Sequence, residues 1–152
     1  MTPPTTPARI LVCDDEPAIV TVVATILQRE GYETFEAQTG PDCIALVERG
    51  QVDLVLLDVT MPDMDGFAVC QALRTREAGR QLPIVLLTGR TDLDTRVEGM
   101  HHGVSEFLTK PVNRHELVAR VRAQLRIVAL TRQLETIERN LKTDRPTAPP
   151  HR

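Results

Sequence analysis

The chain has 152 residues, 41% of them apolar and 26% charged, enough material for one compact domain with a single core and one extra element. A formal charge of -3 gives no global basic field for gripping nucleic acid, and no apolar stretch approaches the ~20 residues needed to cross a bilayer. The opening Met1 to Pro7 lacks the charged-then-apolar order of an export signal, so a cytoplasmic protein without membrane contact is expected.

Residues 1–8 read as a disordered, proline-rich leader, and Arg9 to Cys13 as the first strand. Pro17 stands where proline opens a helix, and Ile19, Val20, Val23, Ile26 and Leu27 keep helical spacing until Gly31. Tyr32 to Ala37 alternates weakly, as an edge strand does. Pro41 opens a second helix, with Ile44, Leu46 and Val47 turned inward, closed by Gly50. Val52 to Leu57, apolar except for Asp53, is a run of the kind buried on both faces of a parallel sheet, and it stops on Asp58. Met61-Pro62-Asp63 and Asp65-Gly66 then reverse the chain.

Gly66 to Thr75 is predicted as a third helix through Phe67, Val69, Cys70 and Leu73. A polar stretch from Glu77 to Gln81 leads into the strand Pro83 to Thr88. The fourth helix, Asp92 to about His102, offers only Leu93, Val97 and Met100 as apolar residues and contains Gly99, so thin anchoring is expected. Gly103 precedes a short strand around Phe107. From Arg114 to Leu141 there is no Gly or Pro, and one helix is expected, covering the sheet with Leu117, Val118, Val121, Leu125 and Val128. A second stripe, Ile127, Leu130, Leu134, Ile137 and Leu141, advances by alternating threes and fours, the heptad spacing of a self-pairing coiled coil. The domain is placed at 9–125, the helical extension at 126–142 and a disordered tail or linker at 143–152. Five alternations of strand and helix imply an α/β fold with a parallel sheet covered on both faces.

Cys13, Cys43 and Cys70 lie in apolar segments without a C-x-x-C pair, which fits reduced, buried thiols. The four histidines show no metal-ligand spacing. The chemistry gathers instead at strand ends. The first strand stops on Asp14-Asp15-Glu16, the third on Asp58, the fourth on Thr88 and the fifth on Lys110-Pro111. A single strand ending in Asp is often only a turn signal, but four parallel neighbours ending this way bring acids, a hydroxyl and an ammonium to one edge, where open α/β sheets place ligands. Clustered carboxylates without His or Cys call for a hard dication, Mg²⁺ rather than zinc. With the cation present one carboxylate can attack phosphorus, while a lysine and a hydroxyl meet the phosphoryl oxygens. The absence of a Gly-rich cradle argues against a nucleotide donor.

Together, Asp14-Asp15-Glu16-Pro17, Asp58 with Met61-Pro62 and Asp65-Gly66, Thr88-Gly89, Gly103 before Phe107-Leu108, and Lys110-Pro111 give the chain, over about Arg9 to Leu125, a clear likeness: it resembles a response-regulator receiver domain of two-component signalling, of the chemotaxis-receiver kind. The resemblance implies a flavodoxin-like (βα)5 doubly wound sheet with strand order 2-1-3-4-5, and Asp58 as phosphoacceptor. It implies Mg²⁺ held by Asp15, Asp58 and the Thr60 carbonyl, with Asp14 assisting through water. Lys110 and Thr88 would contact the phosphoryl group, and the Lys110-Pro111 bond would be cis. Thr88 and Phe107 would form the switch that alters the face made by the fourth helix, last strand and last helix, and Thr60 and Arg90 would tune attack by water. The donor would be a phosphohistidine on a sensor histidine kinase or phosphotransfer protein, making the chain a signalling protein rather than a turnover enzyme. A Mg-dependent phosphatase with an aspartyl-phosphate intermediate and a non-phosphorylated interaction scaffold are the alternatives. A homodimer through the last helix is expected, with no direct nucleic-acid contact.

Overall fold

A computed structural model of the chain describes residues 6–89 and 93–144. Five strands, β1 (Arg9–Cys13), β2 (Glu33–Ala37), β3 (Leu54–Asp58), β4 (Ile84–Thr88) and β5 (Glu106–Thr109), form one parallel sheet in the order β2-β1-β3-β4-β5. This is the flavodoxin-like doubly wound arrangement, with its reversal of strand order between β1 and β3. Between the strands run helices α1 (Pro17–Arg29), α2 (Gly40–Glu48), α3 (Gly66–Arg74) and α4 (Leu93–His101), and α5 (Arg114–Asp144) follows β5. The polar stretch before β4 carries a single 3-10 turn, Glu77–Gly79.

Alternation along the central strands divides the core in two. Leu11, Cys13, Val55, Leu57, Ile84 and Leu86 face one way and pack with Cys43 and Val47 of α2 and with Val69, Cys70 and Leu73 of α3. Ile10, Val12, Leu54, Leu56, Val85 and Leu87 face the other way and pack with Val20, Val23 and Leu27 of α1 and Leu117 and Val121 of α5. Every residue of β3 and β4 is buried, which explains why those runs are apolar throughout rather than alternating. The edge strands β2 and β5 keep exposed positions.

Local signals fix the helix ends. Pro17 opens α1, the Thr39 hydroxyl accepts from the Asp42 N–H at 3.2 Å to cap α2, and Asp65 accepts from the Ala68 N–H at 2.8 Å to cap α3. Gly103, at φ +82, lets the chain leave α4 through the left-handed region, where a side chain is strained. Arg74 closes the region between α3 and β5. Its guanidinium donates to the carbonyls of Gly79 at 2.7 Å, Leu82 at 2.5 Å and Gly103 at 2.6 Å, so one side chain gathers three separate turns.

One helix departs from expectation. In α4 the apolar residues Leu93, Val97 and Met100 are all exposed, and the buried positions are Thr95 and Gly99. The helix meets the body with its smallest inward-facing residues because the neighbouring side chains fill the gap. The start assigned at Asp92 lies outside the described residues. α5 is the single helix expected from Arg114, and it runs on to Asp144, so the domain and its extension share one rod. Residues 1–5 of the leader and 145–152 of the tail lie outside the described residues.

Candidate functional site

The site is built by strand register. Cys13 pairs with Leu57 and Asp58 with Leu87, so Asp14, Asp58 and the end of β4 arrive together at the C-terminal edge of the sheet. Thr88 pairs with Thr109, and the Lys110 N–H donates to the Thr88 carbonyl at 2.8 Å, which ties the root of the lysine to β4. The Lys110-Pro111 peptide bond is cis. Asp14 is fully buried, and Asp58 and Thr88 are each 4% exposed.

Lys110 Nζ stands 2.9 Å from Asp14 Oδ2 and 3.0 Å from Asp58 Oδ1. Two buried carboxylates from different strands therefore share one ammonium, an arrangement that offsets the cost of bringing like charges out of water. Burial pushes the Asp58 carboxyl above its usual range, and the Asp14 charge adds to this. The hydrogen bond and charge of Lys110, and a backbone N–H at Thr60, pull the other way without reversing it. For Lys110, burial acts to lower the ammonium's pKa, but its hydrogen bonds to Asp14 and Asp58 and their charges outweigh that and raise it.

The other oxygen donors lie beside this pair. Ligand atoms of Asp14, Asp15 and Glu16 all fall within 4.8 Å of one another. Asp14 Oδ1 also accepts the Glu16 N–H at 3.0 Å, which fixes the turn that presents all three. Thr60 is exposed on the loop after β3. The donor set is entirely hard oxygen, with a surplus of negative charge, and it fits Mg²⁺ rather than a softer metal. Phe107 lies on the opposite face of β5 from Leu108 and packs against the cluster containing Phe67 and Leu86. Arg90 lies outside the described residues. The residues of the α5 stripe, Ile127, Leu130, Leu134, Ile137 and Leu141, lie away from the acidic edge and are 51% to 62% exposed.

Two contacts escaped the sequence. Arg74 gives no sign in its spacing that it will bind three carbonyls. The bridge from Lys110 to Asp14 spans 96 positions, and only the strand order brings its ends together. Beneath the acids, Cys13 Sγ lies 3.8 Å from Met61 Sδ. A hydrogen bond with Cys43, then burial, then the charges of Asp14 and Asp58 drive the Cys13 thiol far above its ordinary pKa, so this sulfur is packing rather than chemistry.

A five-stranded 2-1-3-4-5 sheet with buried acids and a lysine at its C-terminal edge defines the receiver class of signalling domains. The sequence matches the family described as response regulator receiver domain over residues 10–122, and the chain belongs to it. It is 41% identical over 131 residues to the response regulator PleD of Caulobacter vibrioides, covering 86% of this chain and 29% of that protein. It is likewise 41% identical over 118 residues to RpaA of Synechocystis sp., a DNA-binding dual master transcriptional regulator, covering 78% of this chain and 49% of that protein. The chain thus spans half or less of the length of these relatives. Among solved structures, it resembles the receiver domain of sensor histidine kinase PA1611 from Pseudomonas aeruginosa, with magnesium coordinated in that protein's active-site cleft. The TM-score is 0.73 and the identity 28%, covering 79% of this chain and 98% of that one. The chain is a receiver domain of two-component signal transduction.

Proposed function

We propose that this receiver accepts a phosphoryl group on Asp58 from the phosphohistidine of a sensor kinase or phosphotransfer protein. The observation that carries the reading is Lys110 Nζ, held within 3.0 Å of carboxylates from two strands at the sheet's ligand edge. Asp58 presents an oxygen to phosphorus, and its partly neutralised environment lets a negatively charged donor approach. Lys110 is already desolvated and oriented, so it can turn from Asp58 to an incoming phosphoryl oxygen without reorganising water. Thr88, one residue beyond the register partner of Asp58, supplies a hydroxyl for another oxygen.

Asp14, Asp15, Asp58 and the Thr60 carbonyl would hold Mg²⁺, with Glu16 at hand beside them. The bound ion supplies charge neutralisation for the transferring group. The magnesium in the related PA1611 receiver supports that assignment. Phosphorylation would then act through Thr88 and Phe107 on the face of α4, β5 and α5. The protein is read as a switch, not a turnover enzyme, and its cytoplasmic location is part of the same proposal. Among the described residues no helix is long and apolar enough to cross a membrane. The receiver itself, with its charge of -3, is proposed to make no nucleic-acid contact. That charge says nothing about DNA binding by other segments of a protein that carries it.

Homodimerisation through α5 is the second part of the proposal. At 3.6 residues per turn, Leu117, Val118, Val121, Leu125 and Val128 centre on one side of the helix, and Ile127, Leu130, Leu134, Ile137 and Leu141 centre roughly 160° away. Ile127 borders a groove with Val52, Leu82 and Pro83 of its own domain, while Leu130, Leu134, Ile137 and Leu141 continue the stripe beyond it, exposed and open to a second copy.

Incubation with Mg²⁺ and acetyl phosphate tests the chemistry. One phosphoryl group per chain, lost in Asp58→Asn and in the presence of chelator, is the expected result. Continuous turnover of a phosphate ester would favour the phosphatase, and absence of any labelling would favour the scaffold.

A further inference from the structure

The loop between β3 and α3, residues 59–65, carries the Thr60 carbonyl and has little backbone bonding of its own. Its first residue is tied down, since the Val59 N–H donates to the Leu87 carbonyl at 3.0 Å and the Val59 carbonyl accepts the Gly66 N–H at 2.8 Å. Between those ties, Met61, Pro62, Asp63 and Met64 make no backbone hydrogen bond to any described residue. Two methionine side chains hold the loop instead. Met61 is 7% exposed, with its Sδ 3.8 Å from Cys13 Sγ on β1. Met64 lies across the start of α2: a Cβ placed on Gly40 would stand 3.0 Å from Met64 Sδ, 3.1 Å from Met64 Cβ and 2.8 Å from Val69 Cγ2. Only a residue without a side chain lets those neighbours pack so closely. Cys13 closes the same corner, its Sγ 3.6 Å from the Thr39 carbonyl.

The residue after Cys13 is Asp14, and the residue before Met61 is Thr60. The sulfur contact therefore joins the two segments from which the cation's carboxylate and carbonyl oxygens come. We propose, on the magnesium reading given above, that Met61 and Met64 are positioning residues for the divalent cation, holding the Thr60 carbonyl in place relative to Asp14 and Asp15. Mg²⁺ demands near-ideal octahedral geometry and short bonds, so a neutral carbonyl contributes fully only if it is already in position. A loop without backbone hydrogen bonds does not supply that order; two packed thioethers, adaptable in shape, do. Cys13 takes part as the surface on which Met61 sits, not as a ligand.

Titration with Mg²⁺ alone, followed through the NMR amide shifts of Asp14 and Asp15, gives a dissociation constant even where binding is weak. Met61→Ala and Met64→Ala should each weaken binding about tenfold or more, the scale of lost outer support at a metal site. Met61→Leu keeps the volume and should stay within about threefold of the unaltered protein. Gly40→Ala reaches the loop from α2 with both methionines intact and should weaken binding as well. Should Met61→Ala fail to fold, Met64→Ala and Gly40→Ala read the same prediction. Val47→Ala separates position from stability. It opens the same half of the core from α2, and should lower the melting temperature in chelator while leaving the Mg²⁺ constant within about threefold. Unchanged affinity in Met64→Ala and Gly40→Ala, or an affinity that falls as far in Val47→Ala as in the methionine variants, overturns the proposal alone. An unaltered protein without any Mg²⁺-dependent shift overturns the magnesium reading and this proposal with it.

Discussion

At the scale of single residues, the decisive fact is that Asp58 is held in a place that resists its charge. Its folded pKa lies above the unfolded value, so the native state binds the extra proton. The stability this brings is present below the unfolded pKa and is lost as pH rises through the folded one. At neutral pH, in chelator, Asp58→Asn should therefore melt higher than the unaltered protein. Titrating both proteins downward through the carboxylate range should close the gap. Lys110 has the complementary role. Lys110→Ala leaves Asp14 and Asp58 buried together without a cation and should cost about 3–5 kcal/mol at neutral pH, read by urea denaturation. Added Mg²⁺ should raise the melting temperature of the unaltered protein by mass action and do so much less for Asp15→Asn, measured by scanning calorimetry.

At the scale of elements, what the sequence made legible depended on range. The β3 run ending on Asp58 and the proline that opens α1 are local patterns, and the structure places both elements within a residue or two of expectation. The acidic turn after β1 was legible for the same reason: Asp14, Asp15 and Glu16 are neighbours. The α4 attachment was not, because periodicity counts apolar residues and the contact is made by a glycine meeting a ring from β5. Arg74 was hidden because its partners are backbone carbonyls, which every residue has. Its burial lowers the guanidinium pKa, a desolvation cost that its hydrogen bonds to the carbonyls offset. Arg74→Ala strands the part-buried Gly79 and Leu82 carbonyls, while water can replace it at the exposed Gly103 carbonyl, and should destabilise by roughly 1–3 kcal/mol, since each buried acceptor left unmatched costs on the order of 1 kcal/mol or more. The same variant should speed exchange in the turns around Gly79 and Gly103, a pattern that a general loss of packing would not produce.

At the scale of the whole molecule, the sheet brings together groups that the sequence separates, while α5 carries an apolar stripe beyond the sheet. The strand order was expected from the resemblance; the shared ammonium between Asp14 and Asp58 needed the structure. Sedimentation with and without residues after Leu125 checks the dimer. The full chain should sediment as a dimer and the shortened one as a monomer, and Leu134→Asp within the full chain should reproduce the shortened behaviour. Because the shortened chain retains Leu117 and Val121, both fully buried, Asp58 labelling is the control that it still folds.

The continuity of α5 gives the molecule a mechanical property. Its base is clamped by Glu30, which pairs with Arg122 at 2.9 Å and Arg114 at 3.8 Å, and by side chains sunk in the core. From Gln124 outward the helix runs on for about 30 Å at 1.5 Å per residue. Such a rod acts as a lever: a tilt of roughly 5° at the base sweeps its tip by about 3 Å, comparable with the rise of two residues along its axis. Subtle repacking near the sheet would therefore arrive at the far end as a displacement large enough to realign whatever is joined there.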